Sequence, residues 1–176
     1  MIKSLRVSGI LLIFCMTGLC GAMAQDIKIG VVNIEGVIAL SDMGKALQSK
    51  METFMKDAEA ELQPQVEMAR EMQKQLQQNA ATLSAAKTAE LRRSLEDASV
   101  NIKRLQGDKQ KEMERMRNEG LQEIEKALEP IFKQLREQDG YDLILEAGSG
   151  AILTASEKVD LSKMILERFN ASVANK

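Results

Sequence analysis

From about Asp42 to Asp139 the chain carries roughly a hundred residues of apolar heptads, interrupted only near the middle. A lone helix of that length leaves its apolar stripe in water, so the pattern demands a helix that folds back on itself and finds partners. The first helix is predicted over about 43–80, with a seam through Leu47, Met51, Phe54, Ala58, Leu62, Val66, Ala69, Gln73 and Leu76. Most steps are three or four residues, as paired helices require. Around Leu62 consecutive steps of four form a stutter, and Pro64 sits beside it. An interior proline removes one backbone hydrogen bond at a cost of about 3 kcal/mol. The apolar pattern resumes beyond it, so a bend is expected near 61–62, not a break.

The chain should reverse near 79–84, where Ser84 offers an N-cap for the return helix. That helix is predicted over about 85–138, with a seam through Leu91, Leu95, Ala98, Ile102, Leu105, Met113, Met116, Gly120 or Leu121, Ile124, Leu128, Ile131 and Leu135. Pro130 marks a second kink and Gly140 the C′ stop. At 1.5 Å per residue the two helices span about 57 Å and about 80 Å. Pairing about the turn sets Met43 against roughly Gln122, so the return helix overshoots by about sixteen residues. The overshoot holds Ile124, Leu128, Ile131, Phe132 and Leu135 and should pack against strands.

Strands are expected on both sides of the long helices. Ile27 to Asn33 alternates and is β-branched. Tyr141 to Glu146 and Ala151 to Thr154 flank Ala147-Gly148-Ser149-Gly150, which reads as a hairpin turn. Asp160 should cap a terminal helix with Leu161, Met164, Ile165 and Phe169 on one face. Three short strands make a marginal core, so edge pairing between copies is expected, with Ile29, Val31, Leu143, Leu145 and Ile152 in the joining surface. The expected fold is α+β, mostly α: a long antiparallel helical hairpin, a coiled-coil arm, on a small β-rich oligomerisation body. The arm takes 42–121, and the body takes 25–41 with 122–176.

The first 24 residues read as a cleaved signal peptide: Lys3 and Arg6, an apolar run from Val7 to Leu19, then Ala22-Met23-Ala24 as the cleavage site. Acylation at Cys20 is the alternative. Cys15 and Cys20 both fall in that segment, and the chain has no histidine. The commonest general base, metal ligands and thiol nucleophile are therefore missing after residue 24. Ser84-Ala85-Ala86-Lys87 matches S-x-x-K, but S-D-N and K-T-G are absent, and a helix cap explains Ser84 better. The expectation is a secreted binding protein, not an enzyme, with no cofactor and no metal.

Charge is uneven along the hairpin. Nine basic residues stand against five acidic ones from Arg70 to Lys111, whereas Asp42 to Glu67 has three against six and Glu112 to Asp139 five against eight. The tip is positive and the root negative. Arg70, Lys74, Lys87, Arg92, Arg93, Lys103 and Arg104 are the candidate anion- or client-binding residues at the tip. They attract acidic surfaces or anionic lipid, lipopolysaccharide included, in a salt-dependent way. Solvated helix faces with i,i+4 pairs produce the same composition. Nucleic acid is not expected: without Lys3 and Arg6 the chain has 22 basic and 26 acidic residues, net −4, and its basic residues lack interleaved aromatics. Flexible thioethers suit a surface that accepts many apolar partners. Met68, Met72, Leu76, Met113 and Met116 are the client-facing candidates, a loosely packed seam being the other meaning of the same residues.

Ile29-Gly30-Val31-Val32-Asn33, Gly44-Lys45-Ala46, Gly140-Tyr141-Asp142-Leu143-Ile144-Leu145-Glu146 and the ending from Val159-Asp160-Leu161 through Ile165-Leu166-Glu167-Arg168-Phe169-Asn170 together resemble the Skp/OmpH family of periplasmic chaperones. Their order and spacing cover nearly all of the chain after residue 24. The resemblance implies a homotrimer whose β-rich body joins three hairpins around a central cavity. It also implies that unfolded outer-membrane proteins are held there without ATP, in the periplasm. A structural or adaptor coiled coil gripping one defined envelope partner is the alternative.

Overall fold

Each of the first three helices begins where the sequence supplies an oxygen for otherwise unpaired N–H groups. In the computed structural model, Asn33 accepts from the Gly36 N–H to open α1 (Ile34–Leu40), Ser41 accepts from Gly44 to open α2 (Asp42–Gln78), and Ser84 accepts from Lys87 to open α3 (Ala85–Glu137). The described residues are 26–79 and 82–174. The expected signal peptide over 1–24 and the middle of the predicted reversal, 80–81, lie outside them. The expected cap at Ser84 is present.

Ser41 is fully buried and joins two helices: its Oγ accepts from Gly44 N–H at 3.0 Å and donates to the Ile38 carbonyl at 2.8 Å. The turn is tight enough that a Cβ on Gly44 would stand 1.8 Å from that same carbonyl oxygen. Both prolines lie inside unbroken helices, Pro64 in α2 and Pro130 in α3. At the end of α3 the Tyr141 N–H donates to the Leu135 carbonyl at 3.1 Å while Gly140 turns with φ +72°. The cap residue is Gln138, so Gly140 sits one position later than the predicted C′ stop.

The predicted glycine-rich hairpin does not form. β1 (Ile29–Val32) pairs in parallel with β2 (Leu143–Glu146), Ile29 opposite Leu143 and Val31 opposite Leu145. After β2 comes a short 3-10 turn over Ala147–Ser149, in which Ser149 Oγ donates to the Glu146 carbonyl at 2.9 Å and Gly150 has φ +75°. Residues 151–154 then run as irregular chain. Their place beside β1 is taken: Val31 N–H donates to the Val159 carbonyl at 2.7 Å, and the Val31 carbonyl accepts from Leu161 N–H at 2.8 Å. A parallel bridge between Val31 and Asp160 therefore stands in for the third strand.

The overshoot of α3 supplies the core, as its composition predicts. Ile124, Leu128, Ile131 and Leu135 are buried with Val32, Val37, Leu161, Ile165 and Phe169, and Phe132 packs partly buried against them. Their cover comes mainly from α1 and from α4 (Ser162–Ala174), with Val32 and the half-buried Ile144 contributed by the strands. Each such aliphatic or aromatic side chain stabilises by about 1.5–3 kcal/mol. An ion pair between Arg168 and Asp139 ties α4 to the end of α3, and Asp42 N–H donates to Asn170 Oδ1 at 3.0 Å, tying α4 to the start of α2. The foot of the hairpin is thus fixed from both sides.

Candidate functional site

Away from that foot, α2 and α3 have only each other to pack against. Their register follows from two contacts: the Leu47 side chain occupies the space beside Gly120, and Lys109 Nζ meets Glu61 at 2.7 Å. Extended outward, this register brings Leu76 to the level of Leu91. Ala58 and Leu91 are the buried members of the seam, while Leu47, Met51, Phe54, Leu62, Val66, Leu95, Ile102 and Leu105 are half-buried. Two helices cover one stripe each and leave the rest wet.

Lys109 was counted in the sequence only as a tip charge. Its Nζ also lies 5.7 Å from the Phe54 ring centroid. The hydrogen bond that Lys109 donates to Glu61 holds the ammonium above the usual lysine range, against a smaller lowering from burial, with further help from Glu61, Glu112 and Asp57 charges. This is the ion pair that crosses between α2 and α3 among the described residues. Beside it an open groove of about 700 Å³ follows the seam, with Phe54, Met55, Leu62, Val66 and Met113 along it.

The predicted tip cations divide into two sets. Arg70, Lys74 and Lys87 are engaged by Glu67, Glu71 and Glu90 on their own helices. Arg92, Arg93, Lys103 and Arg104 carry no ion pair among the described residues. These two dibasic steps are separated by three helical turns, about 16 Å, and so recur on one side of α3. The methionines divide as well. Met68 is 61% exposed, whereas Met72, Leu76, Met113 and Met116 are half-buried along the helix pair.

At the foot, the parallel register puts Ile29, Val31, Leu143 and Leu145 on the same face of the sheet. Ile29, Leu143 and Leu145 are exposed there and Val31 is buried. Ile152 is half-buried in irregular chain, outside any strand. Sequence reasoning missed Leu153, which is 98% exposed, and Ile27, which is 71% exposed at the entry to β1. No pattern in Ala151 to Thr154 distinguishes Leu153 from Ile152. Among the described residues there is no helix long and apolar enough to cross a membrane, and no group of three or more potential metal ligands.

The described residues form a two-helix arm rising from a small α+β foot with an exposed apolar sheet face. The family model described as outer membrane protein (OmpH-like) matches residues 28–169, so the chain belongs to the OmpH-like family. It is similar in fold to the crystal structure of a protein from Caulobacter crescentus CB15 described as an outer membrane chaperone (OmpH-like). The TM-score is 0.70 at 17% identity, with 82% of this chain and 85% of that chain covered. A search of the curated proteins finds no match.

Proposed function

We propose that this chain is a non-enzymatic, ATP-independent holdase chaperone of the periplasm, which binds unfolded outer-membrane proteins between helical arms and keeps them from aggregating. Family membership supports the chaperone role. The observation that carries the finer reading is the contrast between foot and arm. The foot holds a closed core yet leaves Ile29, Leu143, Leu145 and Leu153 in water, and the arm leaves both sides of its seam open.

Copies of the chain join through the exposed sheet face, as a homotrimer, and the arms then enclose a shared space. Many weak apolar contacts from several arms act together by effective concentration, so retention needs no deep pocket and no nucleotide. Met68, Met72, Leu76, Met113 and Met116 contribute apolar, adaptable contact. Arg92, Arg93, Lys103 and Arg104 hold acidic client segments or anionic lipid headgroups at the tip.

The test is light scattering from a urea-denatured outer-membrane β-barrel diluted into buffer with the chain in molar excess. Suppressed scattering with no added nucleotide is expected. Unchanged aggregation removes the holdase reading. Recovery of one stoichiometric partner from an envelope extract, in place of a spread of unfolded barrels, favours the adaptor.

A further inference from the structure

Past residue 24 the chain has no cysteine, histidine or tryptophan, and Tyr141 is its single tyrosine. Methionine is therefore the side chain there on which a two-electron oxidant acts most readily. The structure sorts these thioethers by position. Met55 and Met68, thirteen residues apart on α2, are 54% and 61% exposed. Met51, Met72, Met113 and Met116 are half-buried along the helix pair. We infer that Met55 and Met68 are two modification sites for hydroperoxide-class oxidants, at which exposed positions of α2 are made polar while the helix pair stays closed.

The step is an oxygen-atom transfer. The thioether sulfur lone pair attacks the outer peroxide oxygen, the O–O bond breaks, and a proton moves to the departing oxygen to give water. Sulfur is oxidised by two electrons and the peroxide is reduced by two. The product is a sulfoxide, polar and chiral where the thioether was apolar and flexible, and sulfoxide reductases reverse it. At Met55 and Met68 the new S=O group has water around it and costs the helix pair little. Met51, Met72, Met113 and Met116 are half-buried, so the same group there would meet less water and cost the helix pair more. Met55 also lines the groove beside Lys109, so its oxidation changes the character of that apolar concavity. The consequence for clients rests on the holdase reading; the order of modification does not.

The experiment treats the full-length chain with hydrogen peroxide, quenches at intervals, and maps oxygen addition by peptide mass spectrometry with circular dichroism in parallel. Met55 and Met68 should react at least about threefold faster than the four seam methionines. Helicity should stay unchanged while Met55 and Met68 each take up one oxygen. The double variant M55L/M68L should retain the wild-type helicity and lose the fast phase. Equal rates across the six residues, or helicity falling as Met55 and Met68 react, would overturn the proposal. In the aggregation assay, each measured against its own untreated sample, mild oxidation should lower the protection of a denatured barrel by a larger fraction for wild type than for M55L/M68L. If even untreated chain fails to protect, the holdase reading falls and the order of oxidation still decides the modification sites. If untreated chain protects and mild oxidation leaves protection intact, the switching consequence is refuted.

Discussion

Glycine to alanine at two points of one helix should shift stability in opposite directions. Gly107 and Gly120 both lie inside α3, and neither has a positive φ. Replacing an interior helical glycine by alanine gains about 1 kcal/mol of helix propensity. At Gly107 a new Cβ meets nothing within 4 Å, so Gly107→Ala should keep that gain. At Gly120 the new Cβ would lie 2.4 Å from Leu47 Cδ1 and 2.8 Å from Cδ2. Relief requires Leu47 to leave its rotamer or the helices to part, at about 1–3 kcal/mol for an overpacked contact. The net for Gly120→Ala is then zero to about 2 kcal/mol of destabilisation. Urea unfolding followed by circular dichroism reads this directly, at one fixed chain concentration so that any association affects every variant alike. With m near 2 kcal/mol/M, Gly107→Ala should raise the midpoint by about 0.5 M. Gly120→Ala should leave it unchanged or lower it by up to about 1 M. Adding Leu47→Ala should turn Gly120→Ala from a loss into a gain, which isolates the overlap as a coupling term. Equal gains at both positions in the Leu47 background would refute the packing of α2 on α3 described above.

Three further changes report on the foot and the arm. Phe169→Ala removes a fully buried ring from the core and should cost about 3–5 kcal/mol, seen as a lowered urea midpoint. Ser41→Ala removes the α2 cap and leaves the Ile38 carbonyl without its hydroxyl donor, and should cost about 1–2 kcal/mol in the same assay. Glu61→Gln tests the Lys109 ion pair by its pH dependence. The ammonium is held above its ordinary 10.5, so its stabilising contribution is complete below that value and is lost as pH rises through the higher folded value. Thermal midpoints of wild type and variant should therefore differ most near neutrality and converge at strongly alkaline pH. A gap that persists there assigns the effect to packing.

Local signals carried far in this chain, and non-local ones did not. Ser41 and Ser84 cap where a hydroxyl precedes an amphipathic run, and the three- and four-residue spacing of Leu47 through Leu76 specified the partner face. The overshoot was legible because helix length is arithmetic. The region after β2 was misjudged because Gly148-Ser149-Gly150 between two apolar runs is an ordinary hairpin signature. What excludes the hairpin is remote: Val159 and Leu161 already occupy the free edge of β1. The parallel order of β1 and β2 was equally invisible, since a whole α2–α3 excursion separates them. At the tip, composition identified the cations but could not separate Arg70, Lys74 and Lys87, which pair with a carboxylate three residues away, from Arg92, Arg93 and Arg104, which make no ion pair among the described residues with Glu96, Asp97 and Asp108 four residues on, or from Lys103. Nor could it show that Met68 faces water while Met72, four residues on, is half-buried.

The account turns on copies of the chain meeting at the foot so that their arms surround a common space. Sedimentation equilibrium of the full-length chain at micromolar concentration tests this, with Leu153→Glu run alongside as a variant that places a charge in the exposed apolar surface. A mass three times that of one chain for the wild type, falling toward a single chain in the variant, is the predicted result. A wild type that sediments as a lone protomer across that range would contradict it.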